Sequence, residues 1–215
     1  MSFLNQLKSQ ASALQSEKEA SDSRFLSNIQ TTEAAAKSVA LYLNELAKQL
    51  NVIAPPGPKL TLDGKTPWPA MKMLDFQSDA RKKMLKDREV YDYMGMSWSL
   101  LPIFGNPVGG SVSANFPPDL QRIEERLSAG GVKHDRISVR HPEKNTLQAV
   151  RFDYTTQARG GVTAVADHDA AKINFRLANV QAFGIVNVSY PVERVSTTLL
   201  DELAKLLVGQ PSKFV

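Results

Sequence analysis

Gly64-Lys65-Thr66 has the ending of a phosphate-binding loop, in which backbone amides and a lysine surround phosphate oxygens and a hydroxyl reaches magnesium. The first glycine of that loop belongs five positions before Gly64, where Lys59 stands, and Pro67 follows the threonine where a helix should begin. The segment reads as a turn. His141-Pro142-Glu143 has the His-x-carboxylate spacing of facial iron sites, but it sits in an apparent turn without an identifiable second histidine. His168 lies between Asp167 and Asp169 in a typical turn, and His134-Asp135 opens a strand and reads as solvated. Ser111, within Gly109-Gly110-Ser111-Val112-Ser113, lacks the closing glycine of a nucleophile elbow, and no G-x-G-x-x-G occurs. The chain has no cysteine, which excludes disulfides, thiolate metal sites, iron–sulfur clusters and cysteine nucleophiles together. No catalytic residue, metal or cofactor is assigned, and the reading leans away from an enzyme.

Residues that could bind are easier to name. Met94, Met96 and Trp98 alternate with Gly95, Ser97 and Ser99, and form one wall of an apolar core or of a ligand cavity beneath a helix containing Leu203. Trp68 stands between Pro67 and Pro69 in a stiff, extended segment, so it plugs a groove on its own chain or is presented to a partner. The 26 Lys+Arg outnumber the 22 Asp+Glu by four. The stretch 81–88 alone holds Arg81, Lys82, Lys83, Lys86 and Arg88 against Asp87, so these eight residues carry the whole excess. Read as a helix, the stretch brings Lys82, Lys83 and Lys86 together on one face as an anion patch. Three cations fall short of the roughly six to ten phosphate contacts of a strong DNA binder. Nucleic acid is therefore a minor alternative to a solvated helix face.

The elements that would position these residues follow from periodicity. Leu4, Leu7, Ala11 and Leu14 recur at helical spacing; the stripe fails over Gln15–Arg24 and resumes from Phe25 to Leu50. Ser21-Asp22-Ser23 could cap a second helix and Thr31-Thr32 could restart one. Pro55-Pro56-Gly57-Pro58 ends the helical region. Lys59–Asp63 suggests a short strand, and residues 70–92 fit either a helix over Ala80–Glu89 or a strand near Met71–Phe76. Beyond Met94 a run of alternating strands is punctuated by turns, one of them at Arg159-Gly160-Gly161. A helix after Pro117-Pro118-Asp119 stops at Gly130-Gly131, and the last helix runs from Ser196 through Leu207.

The expected fold is α+β: an antiparallel β-sheet meander with helices packed on one face, preceded by an N-terminal helical arm. The expected organisation is a helical region at 1–54, a Pro-rich linker with a short strand at 55–69, and an α+β domain at 70–215. Over residues 109–208 the order of strand, helix, meander and long last helix resembles helix-grip folds of the START/Bet v1 type. That resemblance implies a curved sheet closed by the last helix over an apolar cavity. With no secretory signal and no apolar run near the 20 or so residues of a membrane span, the sequence predicts a cytoplasmic protein. Its expected partner is protein, a second copy or another chain, bound through the N-terminal helices. An apolar small molecule is the alternative ligand.

Overall fold

A computed structural model describes residues 3–215. The chain begins with one unbroken helix, α1 (Phe3–Ile53), of 51 residues, which spans roughly 77 Å at 1.5 Å per residue. The expected break at Gln15–Arg24 does not occur. Those residues include Gln, Glu, Lys and Ala, which favour helix without packing, and Gln15 hydrogen-bonds Glu19 one turn on (3.1 Å). Ser21, Asp22 and Ser23 lie inside the helix rather than at its start. The Thr31 hydroxyl is satisfied within it, donating to Ser27 O at 3.1 Å. The helix ends where Ala54 turns to positive φ (47°) and the prolines begin.

The strands and remaining helices follow as β1 (Met71–Leu85), β2 (Arg88–Pro102), β3 (Gly109–Ala114), α2 (Pro117–Ala129), β4 (His134–Arg140), β5 (Leu147–Thr155), β6 (Ala158–Asp167), β7 (Lys172–Ala178), β8 (Ile185–Pro191) and α3 (Thr197–Leu207). Five strands form an antiparallel sheet in the order β1-β2-β6-β7-β8, and three form a second in the order β3-β5-β4. The protein is α+β: α1 packs on β1, β2, β6 and β7 of the larger sheet and against α3, while α2 packs beside β3 of the smaller one. The elements over 109–208 come in the expected order, and their strands divide between the two sheets.

Residues 80–89 are not helical. They form the far end of a long β1–β2 hairpin, in which Leu85 pairs with Arg88. The turn residues Lys86 and Asp87 both have positive φ (45° and 63°), the geometry of a two-residue hairpin turn whose twist matches its strands. Helix-forming composition lost here to cross-strand pairing with β2 from Gln77 to Leu85. Pro55 and Gly57 run along the other side of β1: Gly57 N donates to Met71 O (2.7 Å) and Met73 N to Pro55 O (2.9 Å). Lys59–Asp63, expected as a strand, makes a single bridge from Thr61 to Pro67.

The core face of the large sheet reads directly from the register. Met94, Met96, Trp98 and Leu100 of β2 oppose Ala164, Val162, Gly160 and Ala158 of β6. Ala166, Ala164 and Val162 in turn oppose Ile173, Phe175 and Leu177 of β7. Gly160 and Gly161 therefore lie inside β6, not in a turn. A methyl group at Gly160 would fall within the Trp98 indole, so glycine is what lets the tryptophan lie flat on the neighbouring strand.

Candidate interaction surface

The C-terminal half of α1 is tied to the sheets along its length. Its buried stripe is Ile29, Thr32, Ala35, Ala36, Val39, Leu43, Ala47 and Leu50, and each large apolar side chain buried this way stabilises the fold by roughly 1.5–3 kcal/mol. Polar anchors flank the stripe. Asn28 Nδ2 donates to Asp169 O (2.9 Å). Glu33 Oε1 accepts from Tyr91 N (2.7 Å) and pairs with His168 Nε2 (2.9 Å). Tyr42 donates to Asp201 Oδ1 (2.7 Å), and its burial, reinforced by this bond to a carboxylate, raises the phenol pKa far above 10. Asn51 bonds both backbone groups of Phe76.

The contact ends at the hairpin tip, where Lys86 Nζ lies 4.1 Å from the Phe25 ring centroid and 3.9 Å from Asp22 Oδ1. From Phe3 to Arg24 every residue is exposed, a length of roughly 33 Å. Phe3 is 72% exposed, Leu4 57% and Leu14 67%. At 100° per residue, Leu4, Leu7, Ala11 and Leu14 fall within the same stripe, about 100° wide, as Phe25, Ile29, Thr32, Ala36, Val39, Leu43, Ala47 and Leu50. The face that seats α1 on the sheet continues in phase past its edge.

Other residues singled out by sequence are placed as follows. Lys82 pairs with Glu89 (3.0 Å), Lys83 with Asp92 (2.9 Å) and Lys86 with Asp22. On a strand, Lys82 and Lys83 point to opposite faces, so the single face expected from a helix is not formed. Trp68 is buried, stacked on Tyr154 (centroids 5.5 Å apart) and edge-on to Phe183 (5.0 Å). Met94, Met96, Trp98 and Leu203 lie in the packed core. Trp98 also borders a polar cleft of about 670 Å³ with Asn51, Asp75, Gln77 and Arg159. Gly64-Lys65-Thr66 is a turn around Asp63, whose Oδ1 accepts from Lys65 N (2.8 Å) and Thr66 N (2.7 Å).

His168, expected in an ordinary turn, has a side chain only 3% exposed. His134 rests against Phe152, with Nδ1 2.8 Å from Val132 O. Ser111 lies on β3 opposite Asp153. Among the described residues no three His, Cys, Asp or Glu side chains converge as a metal site, and no helix is long and apolar enough to cross a membrane.

Sequence reasoning did not find Glu33, Asn51 or Asn179. Asn179 Nδ2 donates to Ala129 O and Arg159 O (both 2.7 Å), and its Oδ1 accepts from Gly184 N. Each of these residues joins elements far apart in the chain, and a lone polar residue carries no local signal of a distant partner. No protein family, curated protein or solved structure matches this chain.

Proposed function

We propose that this is a non-catalytic interaction protein in which the α+β body holds out the first half of α1 as an arm, and that the arm pairs with the arm of a second copy. The observation supporting this reading is the apolar stripe at Leu4, Leu7, Ala11 and Leu14, exposed yet in phase with the buried stripe of the same helix. An isolated helix of this length gains little from propensity and is stabilised by a partner along its apolar face. Charge favours a copy of the same chain over a membrane or nucleic acid. Over residues 3–21 Lys8 and Lys18 are balanced by Glu17 and Glu19, so two arms do not repel and an anionic surface has no basic face to hold.

The test is light scattering on the full chain and on a Leu7→Glu/Leu14→Glu variant. Both positions are exposed, so the variant keeps the melting temperature of the α+β body, and any loss of helix signal in the far-ultraviolet circular dichroism is confined to the arm. The expected result is a mass lower in the variant than in the parent at the same concentration. A variant of unchanged mass would dismiss the arm as the contact.

A further inference from the structure

A second surface, separate from the arm, lies at the β8 edge. A sheet edge presents unpaired N–H and C=O groups, and proteins ordinarily blunt it with charge, bulges or a covering segment. The other edges here show those devices. β1 is flanked by Pro55 and Gly57, then by the Asn51 carboxamide, and carries Asp79, Arg81, Lys82 and Lys83 beyond them. β4 carries Asp135, Arg136 and Arg140. β3 is uncharged, but it is six residues long and opens on Gly109-Gly110, which pair poorly. β8, Ile-Val-Asn-Val-Ser-Tyr-Pro, has no charged residue, and its one proline, Pro191, stands at the end of the strand and leaves Ile185 to Tyr190 free to pair. It pairs in unbroken register with β7, and among the described residues no backbone hydrogen bond reaches its outer side.

We infer that β8 pairs antiparallel with β8 of a second copy, joining two five-stranded sheets across a two-fold axis centred on Val188. The residue pattern is self-complementary about that point. Val186, Val188 and Tyr190 oppose the buried Leu177, Phe175 and Ile173 of β7, and so belong to the core face. Centred on Val188, the pairing sets Val188 against its own copy, Val186 against Tyr190 and Asn187 against Ser189, each on a matching face. Val186 is 42% exposed and Ile185 44%, although both sit in a strand of the large sheet. An apolar hollow of about 260 Å³, bordered by Phe183, Ile185, Val186, Leu206 and Val215, opens beside them. A strand without charge meets no repulsion from itself, whereas a charged partner would find no counter-charge on it.

With the arm as one self-contact and β8 as another, each copy has two isologous surfaces, and copies joined alternately through them extend into chains. Light scattering separates the two. The parent grows beyond a dimer with concentration, Leu7→Glu/Leu14→Glu stops at a dimer held by β8, and Val188→Lys stops at a dimer held by the arm. Asn187→Lys, on the exposed face, repeats the last result if Val188→Lys fails to fold. Because the chain has no cysteine, Val188→Cys in the arm variant should also form a disulfide-linked dimer under mild oxidation, while Val165→Cys, exposed on the open face, should not. A monomeric arm variant, or equal cross-linking at both positions, overturns the β8 pairing and leaves the arm standing. A monomeric Val188→Lys with a dimeric arm variant does the reverse.

Discussion

The carboxamide of Asn51 stands in for a neighbouring strand at Phe76: its Oδ1 accepts from Phe76 N and its Nδ2 donates to Phe76 O, both at 2.8 Å. The pairing falls where β1 is irregular. Register with β2 shifts between Leu74 and Gln77, and Asp75 adopts a positive φ of 56°, the signature of a bulge that takes Phe76 out of the ladder. Asn51 thus satisfies two backbone groups that the sheet cannot, and fixes the end of α1 to the edge of β1. Asn51→Ala leaves both groups without their partner, and urea unfolding should show a loss of about 2 kcal/mol. Asn51→Asp keeps the acceptor for Phe76 N but sets a carboxylate oxygen against Phe76 O, and should also be less stable than the parent.

Glu33 and His168 make the corresponding anchor at the other end of the seated helix. Glu33→Ala removes the acceptor of Tyr91 N–H and leaves the His168 side chain enclosed without its partner. The expected cost is about 3 kcal/mol. In a double-mutant cycle with His168→Ala, the two losses should be strongly less than additive. Additive losses would mean that the pair does not interact in solution.

Gly160 and Gly161 should respond differently to the same substitution, although they are adjacent. A Cβ on Gly160 overlaps the buried Trp98 indole, whereas one on Gly161 meets Met96 O at 3.4 Å and is in ordinary contact. Gly160→Ala should cost about 1–3 kcal/mol as β2 and β6 move apart. Gly161→Ala should leave the denaturation midpoint nearly unchanged.

Asp63 ties its turn to pH. Burial pushes its carboxyl up, but the amides of Thr66 and Lys65 and the hydroxyls of Thr66 and Thr61 outweigh it and bring the pKa from 3.8 down to about 2. A group whose folded pKa is depressed contributes its stability above the unfolded value and loses it as pH falls through the folded one. The melting-temperature difference between the parent and Asp63→Asn should therefore be constant above pH 3.8 and shrink as pH falls to about 2. A difference that persists below that range would place the effect elsewhere than in the carboxylate.

The order of amino acids by itself determined the class of fold and most of its elements. Alternation placed Met94, Met96, Trp98 and Leu100 on one buried face of β2 and Ile173, Phe175 and Leu177 on that of β7, because a pleated strand turns every second side chain inward. Helical spacing marked both ends of α1, and Ser196 caps α3 through Leu199 N as its hydroxyl suggests. Three things were decided only in the tertiary structure. Whether residues 80–89 became helix or strand depended on a partner strand, since helix propensity there is weaker than the pairing that overrides it. Whether Gly160-Gly161 made a turn depended on pairing with β2, where Trp98 covers the space a side chain at Gly160 would take. And the single stripe of α1 meets the sheet over only its second half, because the β1–β2 hairpin reaches no farther than Asp22 and Phe25. Periodicity records which face of a helix is apolar; the reach of the packed sheet sets how much of that face is covered.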